Sequence, residues 1–170
     1  TKNYSSGNIK ESVSLVYMGC RASFYMLTLI VVPFVVNVDY VLALWLERVP
    51  ENTSLFLYFI LGVALIYSLS QPITVAIQAT GDIKDFQIWI FSLMVLEVCL
   101  TYIVLWLTGS IIYALVPSVV LNSISVAVRL ALVNKKVGAY SFRQYAFDVV
   151  FRCVMVLLIS CVVAIYIHYM

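Results

Sequence analysis

Five apolar segments, each long enough to cross a lipid bilayer, constrain this sequence more than any other feature. A helix needs about 20 mostly apolar residues to cross the hydrocarbon core. Its backbone N–H and C=O groups must be paired internally, and no alternating strand pattern competes with the helical interpretation. We therefore predict an all-α integral membrane protein, a single helical segment covering 1–170. The predicted transmembrane spans are about 15–38, 54–79, 86–107, 111–133 and 146–169.

Composition argues against a soluble domain. The chain is 64% hydrophobic and 11% charged, whereas an average soluble domain is about 45–50% apolar and about 25% charged. So few polar residues could not cover a soluble core. The net charge is only +2, which gives no broad basic field, so we predict no nucleic-acid partner. The four cysteines lie in apolar runs without a Cys-x-x-Cys pair, and we interpret them as packing residues.

Turn signals separate the predicted spans. Gly81 suits the C-terminal cap of the second span, and Asp82 suits the N-terminal cap of the third. Residues 108–110 form a very tight link between the third and fourth spans. Residues 39–48 are too short to span a membrane, and we predict an interfacial helix with Trp45 at the level of the lipid headgroups.

Lysine and arginine lie almost entirely on one side of the predicted spans. Of the 10 Lys and Arg residues, all except Arg48 fall on the face that carries the N-terminus. Arg48 lies on the opposite face, beside Asp39, Glu47 and Glu51. Loops rich in Lys and Arg stay in the cytoplasm. We therefore predict a multi-pass protein whose N-terminus is cytoplasmic.

The second span carries a polar stripe. Tyr67, Gln71, Thr74 and Gln78 are spaced by four, three and four residues, which places them on one face of a helix. Pro72 lies within the stripe, lacks an N–H group and is expected to kink the helix. The stripe either lines a cavity or holds neighbouring membrane helices together by hydrogen bonds.

The fourth span carries a second polar stripe just after a proline. Ser118, Asn122, Ser125 and Arg129 follow the same spacing. Arg129 lies near the predicted cytoplasmic end of its span, so its side chain can extend to the interface. Alternatively, its guanidinium binds an anionic group such as a phosphate. Both interpretations are open from the sequence.

Charged residues also occur near the cytoplasmic ends of the first and fifth spans. Arg21 lies close enough to the interface that we favour a side chain extending towards it. Asp148 and Arg152 are four residues apart on the fifth span, where they can form an ion pair with each other. We interpret that pair as structural.

Glu97 lies near the middle of the third span, where a charge is most costly. Insertion scales place that cost at about 2.5–3.5 kcal/mol. A carboxylate at this depth needs a partner or stays protonated. It can therefore couple transport to protons or bind a cation, or it can be a neutral group bonded to Asn122 or another helix.

No pattern of an enzyme or a cofactor site is found. The sequence has no His/Cys/carboxylate cluster with metal-ligand spacing, no Gly-x-Ser-x-Gly and no glycine-rich phosphate loop. The single histidine, His168, lies at the end of the fifth span, which is not a position expected for the catalytic residue of an intramembrane acyltransferase or protease. We predict a protein that is not an enzyme and uses neither a cofactor nor a metal.

Three stretches carry a family resemblance. They are VLALWLERVPENTSLF at 41–56, SLSQPITVAIQATGDIKDFQI at 68–88, and SISVAVRL at 123–130 with the loop at 137–145. The Leu-Trp-Leu-x-x-Val-Pro and Ala-Thr-Gly-x-Ile-Lys-x-[Phe/Tyr]-Gln elements are the most specific. Together they resemble the polysaccharide transporter family of O-antigen and capsule flippases. That family is grouped with the multidrug and toxin extrusion transporters and the peptidoglycan-precursor flippases.

The resemblance implies two pseudo-symmetric six-helix lobes around a central cavity, often followed by two extra helices. The first four predicted spans look like the end of the second lobe, and the fifth looks like the first extra helix. Members work by alternating access, so that a polar headgroup crosses the cavity while its lipid tail stays in the bilayer. Where the family pattern reads Leu-Asn-Leu-Pro, this chain has Leu-Glu-Val around Glu97.

We therefore interpret the chain as a fragment of a bacterial inner-membrane flippase for polyprenyl-pyrophosphate-linked oligosaccharide. Its other partners would be membrane lipids, H+ or Na+, and the first lobe of the same polypeptide. The predicted cargo contacts are Gln71, Thr74, Gln78, Asn122 and Arg129, and the predicted coupling site is Glu97. The alternatives are a drug or toxin exporter of the same fold that uses Glu97 for a cationic cargo or a proton, and a membrane scaffold.

Overall fold

The computed structural model describes residues 9–46, 48–79, 81, 83–138 and 140–170, including the side chains of all of these except 9, 10, 168 and 169. Within these residues the secondary structure is entirely helical. The helices are α1 (Ile9–Val36), α2 (Val38–Trp45), α3 (Thr53–Ala79), α4 (Lys84–Thr108), α5 (Ile111–Ala114), α6 (Val116–Val137), α7 (Phe142–Tyr145), a π-helical turn (Ala146–Phe151) and α8 (Arg152–Tyr169).

The prediction of an all-α membrane protein is confirmed at the level of the helices. Among the described residues, five segments are long and apolar enough to cross a membrane. Their ranges are Glu11–Val36, Thr53–Ala79, Lys84–Thr108, Ile111–Val137 and Phe142–Ile167. Most of their apolar side chains face outwards. In the apolar stretch of α4, only 6% of the residues are buried inside the chain. Lipid or further protein must therefore cover these faces.

The fourth span is found at Ile111–Val137, starting where it was predicted to start. Within it, Leu115 separates the short α5 from α6 while its backbone stays in the right-handed helical region, at φ −81° and ψ −19°. Pro117 lies in the first turn of α6, where its missing N–H group is tolerated. The tight link before α5 depends on Gly109, which caps α4 at φ 61° with its N–H donating to the Leu105 carbonyl.

The fifth span begins earlier than predicted and is also not a uniform α-helix. It starts at Phe142 in α7, passes through the π-helical turn 146–151, and continues as α8. The hydrophobic pattern gave no indication of this turn. Turns of this type are rare and occur frequently at functional sites.

The predicted short helix between the first two spans is present as α2. It covers Val38–Trp45, somewhat less than the predicted 39–48, because Leu46 is already extended. Val38 and Leu42 are buried against the bundle, whereas Trp45 is 84% exposed. Such a side chain is suited to the headgroup layer. The predicted cap at Asp82 lies outside the described residues, but Gly81 has the left-handed φ of 79° expected at the end of α3.

The spans pack in alternating directions around α3 and α6. The close helix pairs are α1 with α3, α3 with α6, α1 with α8, and α4 with α6. The described lysines Lys84, Lys135 and Lys136, together with Arg143, lie where α4 begins, α6 ends and α7 begins. We call this side of the bundle the basic end. It corresponds to the face predicted to be cytoplasmic.

α1 and α3 approach each other closely at Gly19. A Cβ atom at this position would lie 3.3 Å from Cβ of Pro72. Small residues allow membrane helices to approach in this way. Gly62 of α3 also lacks a side chain, but a Cβ atom placed there would meet no atom within 4 Å, so the two glycines differ in their packing.

We expect Gly19→Leu to destabilise the bundle by about 1–3 kcal/mol, the usual effect of overpacking a filled interface. The matched Gly62→Leu variant adds the same side chain where there is space, and it should be close to the parent protein. Thermal unfolding in detergent, followed by circular dichroism, measures the difference. Equal midpoints for the two variants would contradict the close packing of α1 on Pro72.

Candidate functional site

The guanidinium of Arg129 is buried between three membrane helices. Arg129 lies on α6, about 12 Å from the last residue of that helix, and its side chain is only 3% exposed. The two sequence interpretations differed on where this side chain goes. In the structure it turns into the bundle, towards α3 and α4, and does not extend to the basic end.

Neutral groups surround the Arg129 cation. Its Nη1 donates to Thr74 Oγ1 at 2.6 Å, and its Nε donates to Ser125 Oγ at 3.3 Å. The guanidinium carbon lies 5.0 Å from the ring centre of Tyr67 and 6.0 Å from that of Phe86. Aromatic faces at such distances attract a cation. Hydroxyls from two helices and rings from two helices therefore hold the charge in place.

Glu97 lies farther from the basic end, at the interface of α4 and α6. Asn122 Nδ2 donates to Glu97 Oε1 at 3.5 Å and to the Ser118 carbonyl at 2.8 Å. The first of these bonds is long and therefore weak. Glu97 is half-buried, so the mid-helix carboxyl predicted from the sequence faces a neighbouring helix on at least one side.

A small cavity connects the two charged groups. It has a volume of about 40 Å³, and both Glu97 and Arg129 line it, together with Tyr67, Asn122 and Ser125. We call it the inner cavity. About 10–15 Å³ suffices for one water molecule, so the cavity has room for water but not for a sugar ring.

A second cavity lies on the other side of Glu97. It has a volume of about 170 Å³ and is lined by Phe59, Val63, Glu97, Leu115 and Ser118, among others. We call it the outer cavity, because its residues lie farther from the basic end along α3 and α6. Glu97 lines both the inner and the outer cavity.

The two predicted stripes meet in one continuous polar seam. We use this name for Tyr67, Thr74, Glu97, Asn122, Ser125 and Arg129, which belong to α3, α4 and α6. The structure therefore brings together four of the predicted site residues, Thr74, Glu97, Asn122 and Arg129. The predicted Gln71 is half-buried and Gln78 is exposed, and neither lines the inner or the outer cavity.

Three residues of this region were not among the predicted site residues. Tyr67 and Ser125 lie on the two stripes, so the helical spacing already marked them. Phe86, whose ring lies near Arg129, is different. It is one of five aromatic residues of α4, and only its position near Arg129 in space reveals its role.

The electrostatics of the seam are unbalanced locally. No carboxylate in the described part of the chain lies within ion-pair distance of Arg129. A buried cation held only by neutral groups is costly in a low-dielectric interior. Glu97 is an acidic residue that lines the same cavity, so its charge can compensate that of Arg129 across the cavity.

Comparisons of the chain with protein-family models, with curated proteins and with solved structures find no match. The resemblance to the polysaccharide transporter family therefore stays a prediction. Functional arguments rest on the seam itself.

Proposed function

We propose that this chain forms part of a flippase that moves a lipid-linked oligosaccharide across the bacterial inner membrane. The single observation that carries the proposal is Arg129, a buried cation in a bundle whose helices are otherwise suited to lipid. Ionisable residues inside membrane helices are costly and mark transport pathways or ligand sites. The resemblance of the sequence to the flippase family supplies the cargo class.

A guanidinium is well matched to the cargo of such a protein. Its planar fork of donors binds phosphate oxygens in pairs, and the diphosphate is the charged part of a polyprenyl-linked oligosaccharide. Thr74 and Ser125 currently accept from Arg129. These hydroxyls are exchangeable partners, because a phosphate oxygen could replace either of them. Asn122 would supply a further polar group for sugar hydroxyls.

Cargo contact requires the seam to open, since the inner cavity now has room only for water. α4 is the helix that would move. It packs mainly on α6, and little of its surface is buried within the chain. Displacement of α4 would uncover Arg129, Asn122 and Glu97 together. In alternating access such a displacement accompanies the rocking of one lobe against the other.

The charge distribution supports the predicted orientation. Lys84, Lys135, Lys136 and Arg143 gather at the basic end, and clusters of this kind stay on the cytoplasmic side. We propose that the basic end is cytoplasmic. Arg129, which is nearer that end than Glu97, would then meet the cargo diphosphate first.

Deleting the gene of the full-length protein tests the cargo. We expect loss of surface polysaccharide with accumulation of the lipid-linked intermediate on the cytoplasmic side of the membrane. Both are measured in the same cells by surface-glycan staining and by mass spectrometry of extracted lipids. Complementation with the parent gene is the control. Normal surface glycan and normal intermediate levels in the deletion strain would contradict the flippase proposal.

A cation-coupled drug or toxin exporter is a second candidate, and one observation favours it. Glu97 lines both cavities, as expected of a carboxyl that binds a proton or a cationic cargo from either side. In that case the deletion strain keeps its glycan and becomes sensitive to cationic amphipathic compounds. If the deletion strain shows neither phenotype, a membrane scaffold is the remaining candidate.

A further inference from the structure

A polar pocket lies at the basic end, away from the seam. It has a volume of about 730 Å³ and lies between the beginning of α1 and the α7–π-helical segment. Its polar lining comes from Ser14, Tyr17, Arg21, Gln144 and Asp148. None of these residues lines the inner or the outer cavity. The volume is within the range of about 300–1,000 Å³ that is typical of small-ligand sites. We call it the headgroup pocket.

The headgroup pocket contains one charge of each sign. Arg21 is half-buried, and its Nη1 donates to the backbone carbonyl of Asp148 at 3.5 Å. This bond is long and engages one of the five donors of the guanidinium, so the group retains donors for an anion. Asp148 Oδ1 lies 3.6 Å from Arg152 Nη2, and the Asp148 side chain is 42% exposed. It can still accept from a second cation.

The floor of the pocket is held rigidly. Tyr17, Tyr140 and Tyr145 are buried, and the ring of Tyr17 packs edge-on against the other two at 6.0 and 5.7 Å. The Tyr145 hydroxyl donates to the Leu69 carbonyl at 2.9 Å, which ties the floor to α3. The Tyr17 hydroxyl donates to the Ser141 carbonyl at 3.4 Å. Such a floor is preformed and loses little conformational entropy when a ligand binds.

The pocket lies where the first and fifth spans begin, at Glu11 and Phe142. At 1.5 Å per residue, Asp148 lies about 9 Å and Arg21 about 15 Å along the helix axis from those starts. A headgroup layer is about 5–8 Å thick on each side of a bilayer. Asp148 is therefore close to the inner edge of such a layer. Arg21 starts deeper, and its long side chain can extend back towards that edge, because helical side chains lean towards the N-terminus.

We propose that the headgroup pocket binds a phospholipid whose headgroup carries a phosphate and a primary ammonium. Arg21 would bind the phosphate through its remaining donors, and the Asp148 carboxylate would accept hydrogen bonds from the ammonium. The acyl chains would lie along the exposed apolar surfaces of α1 and α8. The site is separate from the seam, so this proposal stands whether or not the chain belongs to a flippase.

Charge complementarity favours this headgroup over simpler anions. A headgroup with only a phosphate would leave Asp148 facing a negative charge, whereas a phosphoethanolamine group pairs both residues. A trimethylammonium group has no N–H to donate to the carboxylate. Free phosphate would lack the contribution of burying the acyl chains, which stabilises a bound lipid by about 0.8 kcal/mol per CH₂.

Native mass spectrometry of the full chain in detergent tests the proposal with three lipids of matched acyl chains. We expect phosphatidylethanolamine to bind at least about tenfold more tightly than phosphatidylcholine, the effect of one charge-assisted hydrogen bond. Phosphatidylglycerol should bind more weakly than phosphatidylethanolamine. Arg21→Gln should weaken the binding of all three lipids, and Asp148→Asn should weaken the binding of phosphatidylethanolamine alone.

Two matched controls separate the pocket from general surface charge. Arg143→Gln removes an exposed cation at the same end, and Arg152→Gln removes the partner of Asp148; both should retain the preference for phosphatidylethanolamine. If Arg21→Gln does not fold, Arg21→Lys takes its place and should bind with intermediate affinity. Equal binding of phosphatidylethanolamine and phosphatidylglycerol, or no effect of Asp148→Asn, would overturn the proposal. Displacement of bound lipid by millimolar inorganic phosphate would also overturn it.

Discussion

Replacing Arg129 by methionine in the full-length protein is expected to remove most transport while leaving the helix bundle folded. Methionine fills a similar volume but cannot bind a phosphate. A charge-assisted hydrogen bond contributes about 1.5–3 kcal/mol, so transport should fall at least about tenfold. The rate is measured by the appearance of lipid-linked oligosaccharide on the outer leaflet.

The stability of the same variant distinguishes a cargo site from a structural contact. Replacing a buried charge by an apolar residue of similar size is often neutral or stabilising, and Arg129 is held only by hydroxyls and aromatic rings. We therefore expect the unfolding midpoint of Arg129→Met to equal or exceed that of the parent. Lys135→Met removes an exposed cation from the same helix and is the matched control. Normal transport by Arg129→Met would rule out Arg129 as a cargo contact.

Replacing Glu97 by glutamine should uncouple transport from the ion gradient with little change in the fold. Glutamine keeps an oxygen that can accept from Asn122, but it loses both the negative charge and the site of protonation. In proteoliposomes, transport by the parent should respond to an imposed proton or sodium gradient, and transport by Glu97→Gln should not. Asp85→Asn, an exposed position on the same helix, serves as the control.

A double-mutant cycle tests whether Glu97 and Arg129 compensate each other through the inner cavity. Glu97→Gln alone removes the acidic group that lines the same cavity as Arg129 and should be destabilising. In the Arg129→Met background, Glu97→Gln should lower the free energy of unfolding by less. Residues that share one network couple by about 0.5–3 kcal/mol. Additive changes in unfolding free energy would contradict compensation between Glu97 and Arg129. Gradient-dependent transport by Glu97→Gln would contradict the coupling role.

The main features of the fold could be predicted because lipid imposes strict requirements on length and polarity. Each long apolar segment forms a helix long enough to span a membrane, and Gly81 and Gly109 have the left-handed backbone that helix ends require. The fourth span begins at Ile111, where the prediction put it. The π-helical turn at 146–151 had no signal in the hydrophobic pattern, because an apolar run does not distinguish an α-helical from a π-helical turn.

The candidate site was predictable in its residues but not in its arrangement. Helical spacing identified Thr74 and Arg129 on their stripes, yet periodicity alone cannot say which helices are neighbours. Only the packing of α3 on α6 turns two stripes into one seam. Gln71 and Gln78 share the stripe of Thr74. Polar spacing alone does not show that Thr74 contacts Arg129 whereas the two glutamines line neither cavity. The headgroup pocket involves residues far apart in sequence, such as Arg21 and Asp148, which the sequence did not connect.

The π-helical turn at 146–151 has a consequence for how the last span can change over time. A turn of this kind accommodates one residue more than an α-helical turn in nearly the same length. Loss of that residue would restore an α-helix, because the extra residue adds one position but no additional turn. The residues before 146 and after 151 would then keep their places, and the outward surface of α8 would keep its phase. A single deletion within 146–151 can therefore be absorbed at the turn without re-aiming the lipid-facing half of the helix.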